Sequence, residues 1–245
     1  MAKRKTGSGD RLRQPERHAQ ILALLRRDGI VRVASLANAF AVTTETTRRD
    51  LDELAQSGAL QRTYGGGAIR SLTDEPGIGL RGLVRTPERT RIAAAAAELV
   101  EDGDALMIDA GSTTSLFASA LAARNLTLTV VTNCLPVASA LAVSDRCRVV
   151  VCPGDYVAHE AGVFGAETVA FIGRFHANKA FVGAGGITAS AISDAVSAGC
   201  AVKRAMIERA ERSLLLVDSS KFDVVQFEAV SGATCLLYTS PSPRD

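Results

Sequence analysis

The 245-residue chain has no tryptophan, three tyrosines and eight phenylalanines, so aromatic residues make up only 4 % of it. That scarcity argues against an aromatic-rich surface of the kind that stacks on sugars or on single-stranded bases. No apolar run reaches the roughly 18 residues that a membrane-crossing helix needs, and no membrane partner is expected. The segment Met1 to Arg13 is basic, with no apolar core behind it, unlike a secretory signal. The cysteines, Cys134, Cys147, Cys152, Cys200 and Cys235, are odd in number and contain no C-x-x-C pair. They read as reduced thiols of a cytoplasmic protein. The three histidines, His18, His159 and His176, are scattered without the spacing of metal ligands. His18 reads as a surface residue of a first helix. His159 stands beside Glu160 in a loop near the candidate pocket described below.

What is present is unevenly distributed. Residues 1–70 carry 13 Lys/Arg against 7 Asp/Glu, a net +6, whereas the remainder carries 15 against 19, a net −4. A basic leading part on an acidic remainder fits a nucleic-acid reader joined to something else, although a solvated charged face gives the same count. Residues 1–14 have no periodicity and read as a basic tail. From Pro15, Ile21, Leu22, Leu24 and Leu25 form an apolar stripe that ends at Asp28-Gly29, and 33–40 reads as a second short helix. After a turn at Ala41-Val42, Thr43 and Thr44 are candidate caps of a third helix to about Gln56. Leu60 to Ala68 reads as a short strand and glycine turn. Three short helices with a tight turn between the last two make a helix-turn-helix whose third helix enters the major groove. Its candidate contacts are Thr43, Thr44, Glu45, Thr47, Arg48 and Arg49, with Arg62 of the wing near the DNA backbone. Arginine forks onto guanine or grips phosphate, and threonine suits phosphate or a thymine methyl. A three-helix cap with a solvated charged face is the plainer alternative.

Residues 69–86 read as a linker. From 87 onward, short apolar strands alternate with helices, the pattern of a mostly parallel sheet covered on both faces. Asp109-Ala-Gly-Ser-Thr-Thr114 falls between a strand and the next helix. There Gly111 admits close approach, and Ser112, Thr113 and Thr114 bring hydroxyls and N–H groups to a helix start. The loop lacks the G-K-[ST] of a nucleotide-binding P-loop, and a plain helix cap remains open beside anion binding. After Val230 the rhythm stops, and Leu236 to Asp245 resembles translated sequencing-adapter sequence. Residues 231–245 are therefore expected to be a non-native tail, with a genuine disordered tail as the alternative.

Glu45-Thr-Thr-Arg-Arg-Asp-Leu51 followed by Leu60-Gln-Arg-Thr-Tyr-Gly-Gly-Gly-Ala68 resembles the leading signature of the DeoR-type bacterial repressors of sugar metabolism. The likeness runs from about Arg17 to Val230. It implies an α/β protein: a winged helix-turn-helix over 15–68 and a sugar-phosphate sensor over 87–230 whose fold resembles ribose-5-phosphate isomerase and the CoA-transferases. Carried over residue by residue, Asp109 and Asn133 would meet sugar hydroxyls. Ser112, Thr113, Thr114 and Lys221 would hold phosphate, with Lys203 near the pocket, although Lys203-Arg204 has the alternative of a solvated helix face. The strand-end matches at Thr132 and Gly154, and Lys179 ahead of a glycine turn, join the same set, although Lys179 has the alternative of a surface ion pair. The implied protein is a cytoplasmic repressor. It binds double-stranded operator DNA as a homodimer or homotetramer, is released by a phosphorylated sugar and needs no cofactor or metal. Three departures stand out: Thr47 replaces an apolar residue, Asn178 an aspartate, and the stretch 192–200 lacks paired acidic residues. A sugar-phosphate isomerase is the rival reading. It needs a general base beside the substrate carbon, and residues 178–186 contain no carboxylate, so no enzyme activity is expected.

Overall fold

The computed structural model describes residues 12–28, 30–56, 59–68, 77–83, 85–232 and 237–238. The basic tail up to residue 11 and residues 69–76 of the linker lie outside these. The chain divides into two compact units, Met1–Ser71 and Leu72–Asp245.

The first unit contains α1 (Gln14–Asp28), β1 (Ile30–Arg32), α2 (Val33–Ala39), α3 (Thr44–Gln56), β2 (Gln61–Thr63) and β3 (Gly66–Ala68). Ile21, Leu25, Leu36, Phe40, Leu51 and Leu54 recur at helical spacing and close one small core. Thr43 caps α3, its hydroxyl accepting from the Thr46 N–H at 3.1 Å. The strands pair antiparallel in the order β1-β3-β2, so the wing is anchored by a strand, β1, that short-range patterning does not reveal. Gly66 makes that pairing possible: a Cβ there would sit 2.0 Å from the Val31 carbonyl oxygen.

The second unit begins with α4 (Ile78–Leu83) and α5 (Thr86–Ala97), so the latter part of the expected linker is helical. There follow β4 (Ala105–Ile108), α6 (Ser112–Ala122), β5 (Leu128–Thr132), α7 (Leu135–Leu141) and β6 (Cys147–Val151). A hairpin of β7 (Asp155–Val157) and β8 (Gly162–Phe164), α8 (Ala166–Ile172), β9 (Ala177–Val182), β10 (Gly186–Ile187) and β11 (Ala191–Asp194) come next. The unit closes with α9 (Ser197–Glu208), β12 (Ala210–Leu215), β13 (Glu228–Gly232) and β14 (Leu237–Tyr238). Six strands form one sheet in the order β14-β12-β9-β4-β5-β6, and every pairing in it is parallel. A separate antiparallel sheet has the order β10-β11-β13.

The expectation that the α/β rhythm stops at Val230 is corrected at two points. Ser231 and Gly232 complete β13 opposite β11, and Leu237-Tyr238 lies beside Leu214-Leu215 as an edge strand. Residues 233–236 and 239–245 lie outside the described residues.

The core explains the helix positions. Met107, Ile108, Phe181 and Val182 are fully buried, as strands covered on both faces require. Ala93, Ala96 and Ala97 let α5 lie close against α6. Phe117 of α6 stacks on Phe181 of β9, centroids 4.2 Å apart, which fixes the start of α6 over the ends of β4 and β9. Phe117→Ala should lower the stability of this unit by about 3–5 kcal/mol. Denaturant unfolding of the full chain, followed by circular dichroism, would read this as an earlier transition for the larger unit.

Candidate functional site

Strand order places a site before any side chain is considered. From β4 the chain winds outward to β5 and β6 on one side. On the other lie β9 and β12. The connections therefore diverge between β4 and β9, and ligands of open α/β sheets bind at the carboxyl ends of strands flanking such a point. The two loops leaving that point begin at Asp109 and Gly183, and the Asp109 N–H donates to the Phe181 carbonyl at 3.0 Å.

Asp109 is fully buried. Lys203, reaching in from α9, lies 3.0 Å from its Oδ2 and also 3.0 Å from Oδ2 of Asp194 at the end of β11. Burial would lower the lysine pKa, but the two carboxylates outweigh it and hold the ammonium above its ordinary value. Burial raises the Asp109 pKa, against the pull of Lys203. The Lys203 ammonium and the Gly183 N–H both act on the Asp109 carboxylate against that rise. Two carboxylates on one ammonium leave the cluster with surplus acceptor capacity.

Beside this cluster α6 begins. Gly111 supplies no side-chain cap, so the first-turn N–H groups and the positive end of the helix dipole face the loop. Thr114 and Ser115 turn their hydroxyls back to the Gly111 carbonyl at 3.0 and 2.7 Å. Ser112 accepts from Arg89 at 2.6 Å, and Arg89 also donates to the Gly82 carbonyl at 3.1 Å. Arg89 is 3 % exposed, and burial lowers its pKa. It is the third of three arginines four residues apart. Arg81 pairs with Glu160, and Arg85, in a left-handed conformation, lies 3.9 Å from Asp218. Asp218 in turn accepts from the N–H and hydroxyl of Ser220 at 2.9 and 2.6 Å, shaping the short turn that carries Lys221. The segment that opens the sensor unit is thus fixed to three separate loops.

Of the expected effector residues, Asp109, Gly111, Ser112, Thr113, Thr114 and Lys203 come together at the start of α6 and the end of β4. Lys221 follows β12 at the same end of the sheet. Four others serve the framework. Thr132 donates to the Ile108 carbonyl at 2.6 Å and accepts from the Cys134 N–H at 3.0 Å. Asn133 accepts from the Ala110 N–H and donates to the Val163 carbonyl, both at 3.1 Å, so its amide ties β4 to β8 instead of facing open space. A Cβ on Gly154 would lie 2.4 Å from the Thr168 hydroxyl, so the glycine answers to packing. Lys179 lies toward the amino end of β9, 2.6 Å from buried Asp104. Its ion pair is real, but buried and at the opposite end of the strands. Asn178 beside it accepts from the Ala105 N–H at 2.9 Å, so its departure from aspartate falls away from the switch point. Sequence reasoning missed Asp194, Arg89 and Asp218. His159 is exposed, and among the described residues no cluster of His, Cys, Asp or Glu is placed to hold a metal ion.

In the leading unit, Thr43, Thr44, Glu45, Arg48 and Arg49 are exposed at the start of α3. Thr47 is corrected: it is fully buried, its hydroxyl donating to the Thr43 carbonyl at 3.2 Å, and it belongs to the core in place of the expected apolar residue. Arg62 donates to Asp52 of α3 at 2.8 Å and also to the Gly66 carbonyl, so its guanidinium braces the wing. His18 is half-buried, 3.3 Å from Asp50, and not a surface residue. Asp50 is 2 % exposed and takes a two-point contact from Arg17 at 2.7 and 2.8 Å, clamping α1 to α3.

Comparison with known proteins agrees with this layout. Residues 17–73 match the DeoR-like helix-turn-helix domain and residues 84–236 the DeoR C terminal sensor domain. The chain belongs to the DeoR family and is a DNA-binding transcriptional regulator. It is 32 % identical over 236 residues to the glycerol-3-phosphate regulon repressor of Escherichia coli (strain K12), covering 95 % of this chain and 93 % of that one. It is 30 % identical over 210 residues to the transcriptional repressor AccR of Agrobacterium fabrum, covering 84 % and 81 %. Among solved structures, ribose 5-phosphate isomerase A of Methanocaldococcus jannaschii is similar at a TM-score of 0.42 and 20 % identity, over 56 % of this chain and 54 % of that one. Among the described residues no helix is long and apolar enough to cross a membrane.

Lys203→Met would leave two buried carboxylates without their cation, a loss of about 3–5 kcal/mol. Asp109 has a native pKa above its unfolded one, so its contribution is complete at low pH and lost as pH rises through the native value. The variant should therefore regain part of its stability as pH falls from 7.5 toward 5. Equal deficits at both pH values would show that the carboxylates do not carry the loss.

Proposed function

We propose that the protein is a cytoplasmic repressor of a sugar-metabolism operon, released from its operator when a phosphorylated sugar enters the crevice between β4 and β9. The observation that carries this reading is the uncapped start of α6 next to the Asp109–Lys203–Asp194 cluster. Helix N-termini favour phosphate. Carboxylates with surplus acceptor capacity favour the hydroxyls of the same ligand. Ser112, Thr113, Thr114 and Lys221 take the phosphate end, with Arg89 poised at Ser112, and Asp109 takes the sugar end. The relative that acts on the glycerol-3-phosphate regulon is named for a phosphorylated three-carbon polyol, which supports the ligand class without fixing the sugar. A homodimer presents two α3 helices to paired half-sites.

Titration calorimetry of the full chain against sugar phosphates and the matching free sugars should show binding of the phosphorylated forms only. Equal affinity for both would remove the phosphate site. Asp109→Asn leaves Lys203 paired with Asp194. It should bind operator DNA normally without effector, yet fail to be released by the sugar phosphate that releases the unaltered protein. On the DNA side, Arg48→Ala or Arg49→Ala should weaken operator binding by about 1–3 kcal/mol where the lost contact is to a base. Unchanged affinity in both variants at moderate salt would move the reading face off α3.

A further inference from the structure

The wing poses a chemical problem that the α3 contacts do not solve. Residues 60–68 contain one charged side chain, Arg62, and its guanidinium is engaged by Asp52 and the Gly66 carbonyl. Arg62 is thus committed in part to bracing the hairpin, and the nearest further cation in this small sheet, exposed Arg32, lies on β1 beside β3 and not at the tip. At its tip, in the two-residue turn between β2 and β3, stands Tyr64, fully exposed at 109 % of its reference area. Its whole ring is therefore free to meet a partner, at the tip of a hairpin that belongs to the DNA-binding unit.

The tip is also rigid. Gly65 takes φ +79, and its carbonyl accepts from the Val33 N–H at 2.8 Å. Gly66 abuts the Val31 carbonyl, and the Arg62–Asp52 bridge ties the hairpin to α3. The ring is thus presented at a set position relative to Arg48 and Arg49, 57 % and 76 % exposed on the recognition helix.

We propose that Tyr64 is a DNA-contacting wedge: with α3 in the major groove, its ring enters the flanking minor groove and reads the deformability of the base step it meets. The proposal rests on the DNA-binding reading of the leading unit and extends its contacts beyond the recognition helix. Apolar and aromatic wedges partly unstack a base step, and pyrimidine–purine steps yield most easily. Such a contact releases no counterions, so its share of the affinity does not change with salt, unlike a phosphate contact.

The test uses the full chain and duplexes enriched by it from a random-sequence pool. Tyr64 touches little else, so its variants keep the fold. Tyr64→Ala should weaken binding roughly tenfold to a hundredfold, by the same factor across a salt series, and should relax base preference at one step flanking the α3 site. Tyr64→Phe should bind nearly as well as the unaltered protein, whereas Arg48→Ala should flatten the salt dependence if it holds phosphate. Tyr64→Ala with unchanged affinity on the enriched duplex would overturn the wedge. So would Tyr64→Phe losing as much as Tyr64→Ala, since that would make the contact a hydroxyl bond to the backbone. Failure of the unaltered chain to enrich any duplex would overturn the DNA reading itself, and the wedge with it.

Discussion

A single ammonium shared by two buried carboxylates governs the sensor unit. Lys203 joins three elements distant in sequence: α9, the end of β4 through Asp109, and the end of β11 through Asp194. Charges withdrawn from water are tolerated only when paired at close range, and removing one partner is far more damaging than never having had the pair. The contact therefore holds the antiparallel sheet against the parallel one and fixes both carboxylates, buried, at the switch point. Its imbalance is as informative as its strength. A one-to-one pair would leave fewer acceptors open, whereas the second carboxylate adds acceptor positions that the effector proposed for this site would meet with its hydroxyls.

The leading unit uses the same device for a different end. Arg17 and Asp50 clamp α1 to α3, so the exposed arginines of α3 project from a helix that cannot roll. Thr47, one turn earlier on the buried face, satisfies its hydroxyl on the Thr43 carbonyl. That bond lets a polar side chain occupy a core position at little cost.

Much of this was legible in the chain, for identifiable reasons. The parallel strands show because their residues are apolar on both faces, as in Ala105-Leu-Met-Ile108, and the helices show through their stripes. Apart from the wing strand within 60–68, the antiparallel pieces did not show. Strands such as β1 and β10 have only two or three residues, too few to show a period, and β1 takes its form from a partner more than thirty residues away. The site divided along the same line. The Asp109–Thr114 loop has a local signature of small and hydroxylated residues at a strand-to-helix turn. Asn133 and Thr132 look alike in sequence, but their side chains are consumed by backbone groups of neighbouring strands, which only the assembled fold reveals. Arg89 and Asp50 were within reach. Each is a charged residue on the apolar stripe of its helix, Arg89 in line with Ile92, Ala93 and Ala96, and Asp50 with Thr47, Leu51 and Leu54. A charge in that position must be paired.

The three arginines at 81, 85 and 89 differ from these clamps in one respect. Each is tied to a different loop, by way of Glu160, Asp218 and Ser112, while their common spacing runs through two helices and the left-handed residue between them. Side chains of this segment can therefore vary wherever they do not touch a loop, but its length cannot. One residue inserted or deleted between Arg81 and Arg89 would rotate at least one anchor off its partner. Insertions and deletions among natural relatives should accordingly collect on either side of this stretch and spare its interior.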